Sequence, residues 1–169
     1  MRSAICRITA FALLALPLSL SAQLPAWTAI ASDGSVDESN YTPVNFAFTG
    51  ASLGFLGASI SPTIVAHYNV TNLAHPANPG WTTLELGAID TSAAAGNQVT
   101  ATLIRVNRCT GAQLAICTTT SVTNTAGVCT PCTFPATTFD FTQFLYYVEV
   151  KISRTASTIV EQATTLRIF

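Results

Sequence analysis

From Tyr146 to Ser153 the chain alternates without a break, with Tyr146, Val148, Val150 and Ile152 on one side and Tyr147, Glu149, Lys151 and Ser153 on the other. A period of two is the signature of a strand with one face buried, and a helix cannot separate these two sets. The same pattern sets Ile64, Ala66, Tyr68 and Val70 against Val65, His67 and Asn69, and Thr82, Leu84 and Leu86 against Thr83 and Glu85. Further strands are expected at Trp27–Ile30, Val44–Phe48, Gln98–Asn107, Gln113–Val122 and Thr164–Phe169, divided by clusters of Gly, Pro, Asn and Thr. Helical periodicity over ten residues is absent, so no crossover helices are available to build a parallel sheet. The expected fold is all-β: an antiparallel two-sheet sandwich, jelly-roll-like, of about eight strands.

Ahead of that domain, residues 1–22 read as a signal helix. Basic Arg2 and Arg7 precede the apolar run Ile8–Leu20, and small residues follow. That order is the order of a secretory leader. The run is too short for a ~30 Å hydrocarbon core, and Pro17 interrupts it. Cleavage is expected after Ala22, with Ser19-Leu20-Ser21 as the alternative site. The mature chain, 23–169, is then one domain that is secreted, periplasmic or displayed at the cell surface, with no stable transmembrane helix.

Losing Arg2 and Arg7 leaves five of the seven basic residues against eight acidic ones, a net charge near −3. Nucleic-acid affinity comes from cations neutralising phosphates, so that class of partner is excluded. Nor is the chain disordered: 49% of its residues are hydrophobic, and its polarity comes from Thr, Ser and Asn, which suit strands and turns.

The segment Leu145-Tyr146-Tyr147-Val148-Glu149-Val150, the pair Ser153-Arg154 and the terminal Leu166-Arg167-Ile168-Phe169 resemble the ending of exported bacterial jelly-roll-like β-domains. In those a Tyr-Tyr-Val strand and a Leu-Arg-Ile strand close the sandwich. The Asp33–Glu38 opening, the Tyr68-Asn69-Val70-Thr71 strand and the Arg108-Cys109-Thr110-Gly111 turn are similar too. The resemblance implies the fold and brings no activity with it.

Four cysteines remain after the leader and its Cys6 depart: Cys109, Cys117, Cys129 and Cys132. An even number in an exported chain reads as two disulfides, for which three pairings exist. The sequential scheme, Cys109 with Cys117 and Cys129 with Cys132, is preferred because it staples the hairpin expected around Cys109–Ala112; the nested scheme stays open. A thiol-redox reading of Cys129-Thr130-Pro131-Cys132 lacks the following helix that lowers the first thiol's pKa. A four-cysteine zinc site lacks the second short spacing.

Asp33-Gly34-Ser35-Val36-Asp37-Glu38 places oxygens of Asp33, Ser35, Asp37 and Glu38 as a calcium loop would, but it fails the twelve-residue pattern, and a solvated turn is the favoured reading. No cofactor and no metal are expected. Histidines at 67 and 75 come without a nucleophile elbow, and the carboxylates Glu85, Asp90, Asp140, Glu149 and Glu161 form no recognisable pair in sequence. The chain is therefore expected not to be an enzyme.

Aromatic residues supply the binding hypothesis. Tyr147 shares the solvated face with Glu149 and Lys151, and Trp81 is the second candidate for stacking on a sugar ring. The leading expectation is a secreted or surface-displayed structural or adhesive domain that self-associates. The alternatives are a carbohydrate-binding module with an extracellular glycan as partner, and a small outer-membrane β-barrel.

Overall fold

The computed structural model describes residues 25–37, 46–58, 63–72 and 78–169. The expected leader, residues 1–22, lies outside them, as do Glu38 and His75. The described residues form eleven strands: β1 (Trp27–Ile30), β2 (Ser35–Val36), β3 (Phe46–Thr49), β4 (Ser52–Phe55), β5 (Ile64–Val70), β6 (Thr83–Asp90), β7 (Gln98–Asn107), β8 (Gln113–Thr120), β9 (Asn124–Thr133), β10 (Phe144–Ser153) and β11 (Glu161–Ile168). They make two antiparallel sheets, one ordered β3-β4-β11-β6-β9 with β1 also paired to β11, the other ordered β2-β5-β10-β7-β8. Among the described residues the one helical element is the 3-10 turn Ala31–Asp33, and no helix is long and apolar enough to cross a membrane.

The sandwich is the expected class, with more strands than the sequence indicates. The additional ones are β2, β4 and β9. A two-residue strand is too short to show a period, and β9 is an edge strand whose side chains are mostly exposed, so burial leaves no alternation to read. Pro131 within β9 has no N–H to donate, which an edge strand tolerates.

Inner faces pack on each other. Tyr146, Val148, Val150 and Ile152 of β10, Val99, Ala101 and Leu103 of β7, and Ile64, Ala66 and Tyr68 of β5 meet Leu84, Leu86 and Ala88 of β6 and Leu166 and Ile168 of β11. Each sheet keeps its own edges and the interior is filled with apolar side chains, so the barrel alternative is replaced by two facing sheets.

One end of this core is plugged by rings. The segment after β9 brings Phe139 to 5.2 Å from Trp81 and 4.6 Å from Tyr146, with Phe134 and Phe141 around them. The Tyr146 hydroxyl donates to the Thr138 carbonyl at 3.0 Å and accepts from the Asp140 N–H at 2.8 Å, which pins the segment to β10.

At the open side, β8 and β9 belong to different sheets and lie against each other. The Thr119 hydroxyl donates to the Thr130 carbonyl and contacts the Thr130 hydroxyl, both at 3.0 Å. Beside them a disulfide joins Cys117 to Cys132, with 6.0 Å between Cα atoms. Neither the sequential nor the nested pairing is therefore observed, and Cys109 and Cys129 are exposed free thiols. The reason is geometric: Cys129 and Cys132 are three positions apart on one strand, so their side chains leave opposite faces and cannot meet. The hairpin expected between β7 and β8 needs no staple, because the Asn107 side chain accepts from the N–H groups of Cys109 and Thr110 at 3.0 Å each, and Gly111 takes the left-handed turn position at φ 70°.

The closed loop spans 15 residues, for which cross-linking is worth about 3 kcal/mol. Urea unfolding of Cys117→Ser or Cys132→Ser is expected to show that loss. Cys109→Ser and Cys129→Ser, at exposed thiols, are expected to stay within about 0.5 kcal/mol of the parent.

Candidate functional site

The outer face of the five-stranded sheet follows from the packing of the inner one. Because Tyr146, Val148 and Val150 are buried, Tyr147, Glu149 and Lys151 must point away from the core. Pairing aligns their neighbours into rows. Ser35, His67, Glu149, Thr102 and Thr118 form one row across five strands. Asn69, Tyr147, Ile104 and Ala115 form the next.

Tyr147 is the one ring at the centre of this face, and it is held. Its hydroxyl donates to Gln113 Oε1 at 3.1 Å, and its ring stands edge-on to His67 with centroids 5.2 Å apart. His67 Nε2 lies 3.4 Å from Glu149 Oε2, while Lys151 Nζ lies 2.9 Å from the other Glu149 oxygen. Partial burial raises the Tyr147 pKa, the Glu149 charge adds to the rise and the Lys151 charge opposes it, so the phenol stays protonated and can donate. Glu149 and Lys151 cancel, which leaves a surface of hydroxyls, amides and one aromatic plane, with Ile104 and Ala115 as its apolar neighbours. Such a surface can hydrogen-bond and stack; it offers no nucleophile and base in contact.

Trp81 does not belong here. It is 3% exposed, its Nε1–H donates to the Pro25 carbonyl at 3.2 Å, and it packs among the phenylalanines of the plugged end. The expectation of a stacking role for Trp81 is therefore corrected to a core role. Sequence alone does not show this burial, because the rings that cover Trp81 come from more than fifty positions downstream.

The Asp33–Asp37 segment is placed along the sheet edge. Asp33 ends the 3-10 turn and Ser35 starts β2, whose residues pair in extended form with β5, while the Asp37 N–H donates to the Val65 carbonyl at 2.8 Å. From Ser35 to Asp37 the chain thus runs extended beside β5, and Glu38 is outside the described residues. Gly34 leaves room for a neighbour, since a Cβ there would run into the ring of Tyr68, whose hydroxyl donates to the Ala31 carbonyl at 2.7 Å. Among the described residues no three acidic, histidine or cysteine side chains gather at one metal position.

Two other hollows contain acids. One, of about 460 Å³, lies over β1 and β11 between Thr28, Asp33, Glu85, Thr165 and Arg167, and no aromatic ring lines it. The other, of about 330 Å³, opens at the end of the sandwich opposite the aromatic plug, beside Asp90, Ser92, Asn97 and Ser121. Behind it Asp90 and Glu161 face each other across β6 and β11, 3% and 1% exposed. Of the five carboxylates considered in sequence, these two are brought together; Glu85 and Glu149 lie on outer faces of different sheets, and Asp140 caps a turn. Sequence reasoning misses the Asp90–Glu161 pair and the His67–Tyr147 contact. For the second a signal does exist in the phase of the strands: His67 and Tyr147 each sit on the polar side of a cleanly alternating run.

No family model matches the chain, and no curated protein does. Solved structures match its fold. A xylan-binding module, CBM15, superposes with a TM-score of 0.50 at 12% identity, over 86% of this chain and 95% of that one. A carbohydrate-binding module of the CBM36 type, determined with calcium and xylotriose, gives a TM-score of 0.48 at 8% identity over 85% of this chain and 99% of that one.

Substitution separates the two aromatic candidates. Trp81→Ala is expected to cost about 3–5 kcal/mol in urea unfolding, as for a buried large aromatic. Tyr147→Ala is expected to cost about 1 kcal/mol, a value in the range of ordinary point changes.

Proposed function

We propose that the chain is a non-catalytic, exported carbohydrate-binding module that takes a neutral polysaccharide on the outer face of its five-stranded sheet. The observation that carries this reading is Tyr147: one aromatic ring, fixed by Gln113 and His67, at the centre of a face of uncharged or mutually cancelled polar groups. A sugar ring presents an apolar C–H face bordered by hydroxyls. Tyr147 supplies a plane for the first, and Asn69, Thr102, Thr118 and Gln113 supply partners for the second.

The fold shared with the xylan-binding module supports the reading only as an analogy of architecture, since one sandwich hosts many functions. This reading takes the carbohydrate-binding alternative in place of the leading expectation of a structural or adhesive domain that self-associates. Export is supported by the leader pattern of residues 1–22 and by the disulfide, which an oxidising compartment maintains.

Affinity electrophoresis in gels containing soluble xylan, β-glucan or glucomannan tests the proposal. Retardation in at least one neutral polysaccharide is expected, weakened at least about tenfold by Tyr147→Ala, the effect of losing one stacking anchor worth about 1.4 kcal/mol or more. Free migration in every gel, or retardation that Tyr147→Ala leaves intact, overturns it.

A further inference from the structure

At the end of the sandwich away from the aromatic plug two acids are buried, and one of them lacks the donors it needs. Both Glu161 oxygens are shut off from solvent and have no hydrogen-bond partner among the described residues. Asp90, its register neighbour on β6, is better served: Ser121 donates to Oδ2 at 2.5 Å and the Ser92 N–H donates to Oδ1 at 3.1 Å. An ionised carboxyl only accepts, so two facing carboxylates leave Glu161 with nothing to bond. A proton on one of them makes it a donor to the other.

The other charged group facing Glu161 is Arg154, 8% exposed in the segment after β10. Its guanidinium donates to the Ile159 carbonyl at 3.1 Å and the Gly57 carbonyl at 2.5 Å, and it lies 4.6 Å from the Phe55 ring centre. The β8–β9 connection contributes the Ser121 hydroxyl and β4 contributes Leu53, Gly54 and Phe55, so neither adds a titrating group. With one proton on the pair, Asp90 and Arg154 balance. With none, a net negative charge stands in the interior.

We propose that Glu161 keeps its proton at neutral pH and bonds through it to Asp90, a proton-held latch between β6, β11 and the β8–β9 connection that is released as pH rises. Burial, and then the Asp90 charge, push the Glu161 pKa up to about 8 from an unfolded value near 4.5, whereas Arg154 pulls the other way. The sign follows from linkage. Below the unfolded value both states hold the proton and the latch contributes fully. Between the two values the folded chain keeps a proton that the unfolded chain has released, so stability falls steadily with rising pH and levels off above the folded value.

Calorimetric unfolding of the whole mature chain at pH 6.5, in two buffers of different ionisation enthalpy, reads the proton directly. Release of about one proton on unfolding is expected, together with a Tm that declines from about pH 5 to 8. Glu161→Gln, which keeps shape and supplies a donor without titrating, is expected to abolish the release and flatten that decline. Asp90→Asn removes the facing charge and is expected to shift the decline to lower pH. Zero proton release by the parent chain overturns the latch even if both variants fail to fold. So does a profile that Glu161→Gln leaves unchanged, or a Tm at pH 7 that rises with millimolar calcium chloride over EDTA, since the pair would then hold a metal ion in place of the proton.

Discussion

Among the described residues no helix lies across either sheet, so each inner face is covered by the other, and β10 bears most of that constraint. It is hydrogen-bonded along both edges, to β5 over seven residue pairs and to β7 over ten. Its phase thus fixes the phase of its neighbours. Slipping β10 by one residue would turn Val148, Val150 and Ile152 to water and bring Glu149 and Lys151 into the core, a loss no local rearrangement offsets. The placement of Tyr147 beside His67 on the outside is a by-product of this burial. An outer face specified in this way is tied to the core behind it.

The two ends of the sandwich are closed by different physics. Where β10 begins, Trp81, Phe134, Phe139, Phe141 and Tyr146 interlock through edge and offset contacts that do not depend on pH. Where it ends, Asp90, Glu161, Arg154, Asn97 and Ser121 close the gap with hydrogen bonds and charge. Asn97 there accepts from both the N–H and the hydroxyl of Thr155, tying the start of β7 to the end of β10. The first closure is permanent and the second is conditional on protonation, although they sit on the same strands.

Legibility follows burial. Strand β7 is readable to its end residues, and the inward set of β10 is readable side chain by side chain, because each has one wet and one dry face. Strand β9 is not, since an edge strand bearing Gly127 and Pro131 carries no hydrophobic rhythm. The disulfide escapes sequence reasoning for a related reason: adjacency favours joining near neighbours, whereas the bond spans two sheets whose proximity only the tertiary fold creates. Of the outer face, Tyr147 can be placed outside by phase alone. That His67 stands beside it depends on the β5–β10 register, which alternation does not determine. The acid pair is hidden because the rule that charges lie outside fails where a proton is retained.

Strands β8 and β9 are the terminal strands of their sheets, and each offers a row of backbone groups not engaged by a neighbouring strand of its own sheet. Such rows are templates on which other chains polymerise. Placing the two together and tying them through Cys117 and Cys132 turns both inward toward one corner, and Pro131 interrupts the donor row of β9. The bridge therefore ties the bare margin of one sheet to that of the other, and a molecule that met reductant would lose a covalent link between the two sheets.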